Sequence, residues 1–354
     1  MRIFTIVGTL VAEVSALPTA PLPGGFVWVS CARSEFEAQQ AQLQAALQQL
    51  GGHPLVDLHV SDLLNPQLPS HYDYTSQYDM LVFRRLSTGH TETTPSPTAK
   101  RSGPPILRRI NTDPVGFAVF DAVLLTVHPG DCAVRDSYAE RLQASGARVP
   151  TSPADLMLRI VNQMVDGYLD LRRELTRQLD HWQTELLKPA TRFTNWSALL
   201  DARLTLHQLD DVCEEQRAAI QDWIEAVKTW PEATSPLAAR ERELLQVRSR
   251  DVLEHIERVV HHVQRLEHSV ETAVQMHFSV QSNRTNDIMR TLTVLTAIFL
   301  PLNLIAGIFG MNFDFIPLLH QQSGIWWALG AMGLIATAMG LVFWRKQYLK
   351  RTGS

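Results

Sequence analysis

The sequence of 354 residues predicts an α+β cytoplasmic domain with a long helical stalk that continues into a two-helix transmembrane hairpin. Three observations predict this architecture: two charge-free runs near the C-terminus, a central region almost free of glycine and proline, and alternating apolar residues in the N-terminal third. The predicted segments, in order, are an α/β domain (1–150), cytoplasmic helices (151–236), a stalk helix (237–290), a first transmembrane helix (291–309), an outer loop (310–324), a second transmembrane helix (325–344) and a basic cytoplasmic tail (345–354).

The N-terminal third is predicted to be a mixed sheet with helices packed on it. Residues 1–20 resemble a secretory signal, but Glu13 interrupts the apolar run and only one arginine precedes it, which favours a first β-strand. Alternation and composition then predict one helix and four more strands, at 34–50 and at 25–31, 78–83, 116–120 and 122–128. The stretch 87–105 is rich in Pro, Thr and Ser and is predicted to be a surface loop.

The central region is predicted to form three long helices. No glycine occurs between Gly167 and Gly307, and the prolines before Pro301 limit the helices to 154–187, 195–228 and a third that starts near Leu237. Apolar residues on the third helix recur in steps of three and four, which predicts a coiled-coil-like contact between helices: Val252, Ile256, Val259, Val263, Leu266, Val270 and Ala273. Identical stalks around a closed axis would bring the first span of every copy together.

Two charge-free runs, 291–309 and 325–344, are each long enough to cross a hydrocarbon layer of roughly 30 Å as a helix. Positive residues flank the pair at Arg284 and Arg290 and again in the tail from Arg345, whereas 310–324 contains no Lys or Arg. Because positive residues near a span tend to stay in the cytoplasm, we expect a multi-pass protein of the cell inner (plasma) membrane with both termini cytoplasmic.

Composition excludes several functional classes. A formal net charge of -4 gives no indication of nucleic-acid binding, and the three scattered cysteines form no metal-binding or disulfide pattern and fit a reducing cytoplasm. Neither a phosphate-binding loop nor a catalytic arrangement of His, Cys and Asp is evident, so we expect no enzyme, no catalytic residue and no cofactor.

Polar and small residues follow one narrow stripe along the first span. Alternating steps of three and four place these residues on one helix face: Asn286, Met289, Thr293, Thr296, Leu300, Asn303, Gly307 and Gly310. An amide that faces lipid is costly, so the stripe should face protein or water. Spacing alone leaves two interpretations open, a tight seam between helices and the wall of a pore.

The end of this span resembles a known family. Gly310, Met311 and Asn312, placed after the first of two C-terminal spans, resemble the Gly-Met-Asn signature of the CorA-type divalent metal ion transporter superfamily. Thr285-Asn286, Met289 and Pro301 resemble its first span, and His53-Pro54-Leu55 resembles part of its cytoplasmic domain.

The resemblance implies a funnel-shaped homopentamer in membrane lipid and passive flux of divalent cations, most of all Mg²⁺, with Co²⁺ and Ni²⁺ also accepted. It implies a selectivity filter at Gly310, Met311 and Asn312 and a regulatory metal site at Asp251. The implied pore would be lined by the stripe together with one further apolar constriction: Asn286, Met289, Leu292, Thr293, Thr296, Leu300, Asn303 and Gly307.

Two alternatives remain open at this point. The outer loop has Leu318 where the family usually has a second acid after the proline, and the stalk carries histidines that suit zinc: His255, His261, His262 and His268. These features favour a zinc transporter similar to the ZntB branch, with efflux as an alternative to uptake. The second alternative is a non-conducting structural or sensory protein that is tethered to the membrane.

Overall fold

The computed structural model describes residues 1–87, 110–144, 148–187, 196–231, 235–311 and 324–345. The chain divides into two compact units, Met1–Glu271 and Thr272–Ser354, which are described separately. The predicted loop at 87–105 lies, except for Ser87, outside the described residues.

A seven-stranded mixed sheet forms the centre of the first unit, with the strand order β2-β1-β3-β7-β6-β5-β4. Only β3 and β7 pair in parallel, and all other neighbours are antiparallel. The strands are β1 (Arg2–Val7), β2 (Leu10–Val14), β3 (Gly25–Ala32), β4 (His71–Tyr74), β5 (Asp79–Leu86), β6 (Thr112–Val119) and β7 (Val123–His128). The mixed sheet predicted from the sequence is therefore confirmed.

The N-terminal segment belongs to this sheet, which confirms the strand interpretation over a secretory signal. Ile3, Phe4 and Ile6 are almost completely buried. The expected single strand is nevertheless a hairpin, because Gly8 adopts a φ of 57° and turns the chain into β2. Left-handed backbone of this kind favours glycine, which explains the turn at this position.

Four short helices accompany the sheet: α1 (Arg33–Ala38), α2 (Gln40–Gly51), α3 (Asp57–Leu64) and α4 (Ala133–Gln143). The prediction of one helix over 34–50 was wrong in one respect, because the backbone of Gln39 leaves the helical region and separates α1 from α2. Helix α3, which the sequence did not predict, buries His59, Val60 and Leu63.

Four long helices complete the described chain: α5 (Pro153–Leu187), α6 (Trp196–Thr229), α7 (Pro236–Phe309) and α8 (Gly324–Arg345). These bounds confirm the three helices expected in the central region and the helix expected over the second apolar run. Helix α7 continues through Pro301, as expected for a stalk helix that becomes a span.

Within the first unit, the apolar repeat of α7 is buried inside one chain. Val252, Ile256, Val259, Val263, Leu266 and Val270 are each at most 7% exposed. Polar contacts place α5 and α6 beside this part of α7: Thr176 bonds His262, and Trp223 donates to Ser249. A contact between helices is therefore confirmed, but it is made within the chain, so this repeat is not a free seam between copies.

Helix α8 and the apolar part of α7 are long and apolar enough to cross a membrane. Of their most apolar windows, only 6% and 0% of the residues are buried, so neither resembles the core helix of a soluble protein.

Candidate ion pathway on helix α7

The predicted polar stripe lies in the second unit and is exposed along its whole described length. All nine described residues of the predicted path are solvent-accessible in the single chain: Asn286, Met289, Leu292, Thr293, Thr296, Leu300, Asn303, Gly307 and Gly310. A pore wall and a seam between copies both require such a surface, whereas a stripe used inside the chain would be covered.

The opposite side of α7 is the covered one. Val294 is buried, and the following residues at helical spacing are partly buried: Ala297, Ile298, Pro301, Leu302, Ile305 and Phe309. Helix α8 has one partly covered stripe of its own: Ala328, Met332, Ile335, Ala336, Met339, Gly340 and Phe343. At 3.6 residues per turn, the polar stripe falls on the side of α7 that the chain leaves uncovered.

The two threonines of the stripe use their hydroxyl protons within the helix. Thr293 Oγ1 donates to the Met289 carbonyl at 2.8 Å, and Thr296 Oγ1 donates to the Leu292 carbonyl at 2.9 Å. A hydroxyl that donates in this way keeps lone pairs for a further donor. Both threonines can therefore act as acceptors for water or for the hydration shell of a cation.

Helix α7 ends just before the predicted filter. The Gly310 amide donates to the Ala306 carbonyl at 2.9 Å, and the Met311 amide donates to the Ile308 carbonyl at 3.2 Å. Within the helix, Pro301 has no amide proton for the Ala297 carbonyl, beside the predicted Leu300 constriction. Asn312 lies outside the described residues, so the arrangement of the complete filter stays a prediction.

Asp251, the predicted regulatory acid, is exposed in the first unit. Its Oδ1 lies 3.8 Å from His255 Nε2, and the other ring nitrogen of His255 lies 3.2 Å from Asn162 Oδ1. Four arginines line the same cavity as Asp251: Arg141, Arg148, Arg159 and Arg248. The sequence interpretation missed these arginines, and their charge opposes a divalent cation at Asp251 in the single chain.

The stalk histidines are not brought together as a metal site. His262 Nε2 lies 2.8 Å from Thr176 Oγ1, and burial, together with the charges of Arg172 and Arg265, lowers the pKa of His262. His261 and His268 are exposed. Among the described residues, no three His, Cys, Asp or Glu side chains are grouped so that they could hold a metal ion.

Comparison with known proteins gives consistent results. A sequence model of the family described as CorA-like Mg²⁺ transporter protein matches residues 23–348. The cobalt/magnesium transport protein CorA of Thermotoga maritima is 26% identical over 300 residues, which cover 84% of this chain and 77% of the relative. The magnesium transport protein CorA of Haemophilus influenzae is 25% identical over 235 residues, which cover 66% and 71%.

Solved structures share the fold over nearly the full chain. The complete CorA magnesium transporter of Methanocaldococcus jannaschii matches with a TM-score of 0.70 at 16% identity, covering 98% of both chains. The full-length CmaX protein matches with a TM-score of 0.65 at 17% identity, covering 98% of this chain and 97% of the other. The fold class predicted from the sequence is therefore confirmed.

Proposed function

Because the chain belongs to the family of CorA-like Mg²⁺ transporter proteins, we propose that it conducts divalent metal cations passively through the inner membrane, with Mg²⁺ as the main ion. The names of its relatives, which describe magnesium or cobalt/magnesium transport, support this choice of ion and favour it over zinc. The observation that carries the proposal is the uncharged polar stripe of α7, which the chain itself leaves uncovered.

Several copies must build the pathway together. The described part of one chain offers two candidate spans, which cannot enclose a pore, and its polar stripe faces away from the covered side of α7. Closed symmetry would place the stripe of every copy on one axis. We propose a homopentamer with this arrangement, in which Arg284, Arg290 and Arg345 keep both chain ends in the cytoplasm.

The chemistry of the stripe suits a hydrated cation. Mg²⁺ releases its water reluctantly and prefers oxygen neighbours. Side-chain oxygens of Asn303, Thr296, Thr293 and Asn286 would accept hydrogen bonds from the water shell, and Leu300, Leu292 and Met289 would form apolar constrictions. At the outer end, Asn312 side chains and Gly310 carbonyls would form the selectivity ring, next to Met311.

The membrane potential is sufficient to drive this flux. A charge that crosses 100 mV gains about 2.3 kcal/mol, so a divalent ion gains roughly 4.6 kcal/mol on moving inward. No nucleotide hydrolysis is required for this movement.

A regulatory divalent ion at Asp251 would need carboxylates from another copy, because the surroundings of Asp251 in its own chain are rich in arginine. The zinc alternative would likewise need histidines from several copies. Of the four stalk histidines proposed for it, His255 and His262 have hydrogen-bond partners on α5.

Ion flux into proteoliposomes tests the proposal for Mg²⁺, Co²⁺, Ni²⁺ and Zn²⁺. We expect saturable Mg²⁺ entry that Asn312→Ala reduces at least about tenfold, because each copy loses an acceptor in the selectivity ring. Asn283→Ala is the matched control, since it removes an exposed amide from the part of α7 that precedes the first span, 29 residues before Asn312.

Equal flux in the parent and in Asn312→Ala would reject the filter assignment. Absence of flux in the correctly assembled parent would reject conduction and favour the membrane-tethered alternative. Zn²⁺ entry or exit well above that of Mg²⁺ would favour the zinc alternative.

A further inference from the structure

A cavity of about 680 Å³ lies between α4, α5 and α7, entirely within the first unit. Its apolar part is made by buried side chains of all three helices: Tyr138, Leu142, Leu158 and Val252. The space is large enough for a small organic molecule, and its lining offers such a molecule both an aromatic and an aliphatic surface.

Two arginines of the cavity are held in place by one buried carboxylate. Arg159 Nη2 lies 3.1 Å from Asp155 Oδ2, and Arg248 pairs with the other oxygen of the same carboxylate. The Asp155 side chain is only 4% exposed. Because a buried carboxylate fixes both guanidinium groups, they are positioned before any ligand arrives.

Two further arginines of the cavity have no such partner. Arg141 and Arg148 are exposed, and within the part of the chain that the structure describes neither lies within 4 Å of a carboxylate oxygen. Burial lowers the pKa of Arg248, and the nearby charge of Arg148 lowers it further. Positive groups that line the same cavity attract an anion into it.

The remaining polar groups limit the chemistry of the ligand. The Gln163 Oε1 atom is buried and has no hydrogen-bond donor among the described residues, so it can accept from a hydroxyl or an amino group. Asp166 and Asp251 are exposed lining residues and are the carboxylates of the cavity lining. With Asp155 included, four arginines face three acids, which leaves one net positive charge at the cavity.

We propose that this cavity binds a phosphorylated small molecule with an apolar or aromatic body, such as a nucleotide. Guanidinium groups present planar pairs of donors that match phosphate oxygens, and the apolar lining would take the organic body. This site is separate from the conduction pathway and concerns an anion, so it extends beyond the proposed function and does not depend on it.

Calorimetric titration of the full-length protein with ATP tests the site, in nanodiscs of neutral lipid and without divalent cations. We expect saturable binding that Arg141→Ala and Arg148→Ala each weaken roughly tenfold, because each removes a charged donor. Arg148→Lys should retain part of the affinity, since lysine keeps the charge but loses the paired donors. Arg173→Ala on α5 is the control, because Arg173 pairs with Asp170 outside the cavity lining.

Asp251→Asn should change the affinity for ATP in the opposite direction. Removal of this negative charge should tighten ATP binding severalfold, whereas a metal ion held by Asp251 would be bound more weakly. Inorganic phosphate should bind at least about tenfold more weakly than ATP, because it lacks a body for the apolar lining. The same titration in nanodiscs of anionic lipid distinguishes a soluble ligand from a lipid headgroup. An unchanged ATP affinity would identify a soluble phosphorylated ligand. A weaker ATP affinity, caused by competition from the lipid, would identify a lipid headgroup.

Three results would overturn the site: no saturable ATP binding to the folded parent, equal affinities of Arg148→Ala and Arg173→Ala, or weaker binding by Asp251→Asn. Circular dichroism should show parent-like unfolding for both alanine variants of the cavity, because Arg141 and Arg148 are exposed. The readout is binding and not flux, so failure here leaves the proposed transport untouched.

Discussion

Two stretches of helix α7 have the same residue spacing and opposite surroundings. Between Val252 and Val270, every third or fourth residue is apolar and buried against the chain's own helices. Between Asn286 and Gly310, residues at the same spacing are polar, small or apolar, and all of them are exposed. A periodic stripe therefore shows that a helix face has a partner, but not whether the same chain provides that partner.

The comparison separates two sources of stability. The first unit covers its periodic residues by itself, so substitutions there should be measured as changes in the free energy of unfolding. The second unit leaves its stripe to lipid, water or other copies, so substitutions there should be measured as changes in assembly or flux.

Val259→Asp should cost about 3–5 kcal/mol of unfolding free energy, because it places an unpaired charge where the parent side chain is 0% exposed. Val280→Asp is the matched control on the same helix, since Val280 is 50% exposed, and its cost should stay within about 0.5 kcal/mol. Thermal unfolding followed by circular dichroism in detergent measures both. Similar losses of unfolding free energy for the two variants would contradict the difference between the buried and the exposed stretch of α7.

Acid should destabilise the first unit through His128. Burial, which outweighs the hydrogen bond to the Pro129 carbonyl, lowers the pKa of His128 from 6.5 to about 4. Between pH 6.5 and pH 4, His128 is protonated in the unfolded chain but not in the folded chain. The contribution of His128 to the free energy of unfolding is therefore fully present above pH 6.5 and is lost as the pH decreases to 4. The loss should be about 3 kcal/mol over that interval.

Unfolding of the parent and of His128→Gln between pH 8 and pH 4 measures this loss. The variant should begin with lower stability, since Ser30 loses its imidazole partner, but its stability should decrease less steeply with acid. Parallel profiles for the two proteins would show that another group accounts for the acid sensitivity.

Asn303→Leu should reduce Mg²⁺ flux at least about tenfold, which corresponds to about 1.4 kcal/mol, because every copy loses an acceptor for the ion's water. Thermal stability should change little, since Asn303 is exposed in the chain. Ile305→Val is the control, because Ile305 is partly buried on the side of α7 opposite the stripe. Parent-like flux in Asn303→Leu would show that the stripe is a seam between copies and not a pore wall.

Local patterns were sufficient to predict much of the fold. Charge-free runs predicted the span of α7 and α8, and the scarcity of glycine and proline predicted α5, α6 and α7. The missed elements depend on contacts that are distant in sequence. Strand β4 has only four residues and exists because it pairs with the edge of β5.

Helix α3 illustrates the same limit. No sequence pattern predicted it, because its His59 is buried through contacts with Asp73 of β4 and with Tyr78 just before β5. The cavity arginines could not be grouped from the sequence either, because Arg141, Arg159 and Arg248 come from three different helices. The polar stripe was recognisable because all of its members lie on one helix, whereas its exposure required coordinates.

The proposed conduction path is lined by groups that do not titrate. Amides, hydroxyls, the thioether, aliphatic groups and backbone carbonyls neither gain nor lose protons at physiological pH. A path lined by them carries the same charge in an acidified cytoplasm as in a neutral one. Any response of ion flow to acid must therefore begin elsewhere in the chain, at groups such as the His128 imidazole, and reach the path as a change of conformation.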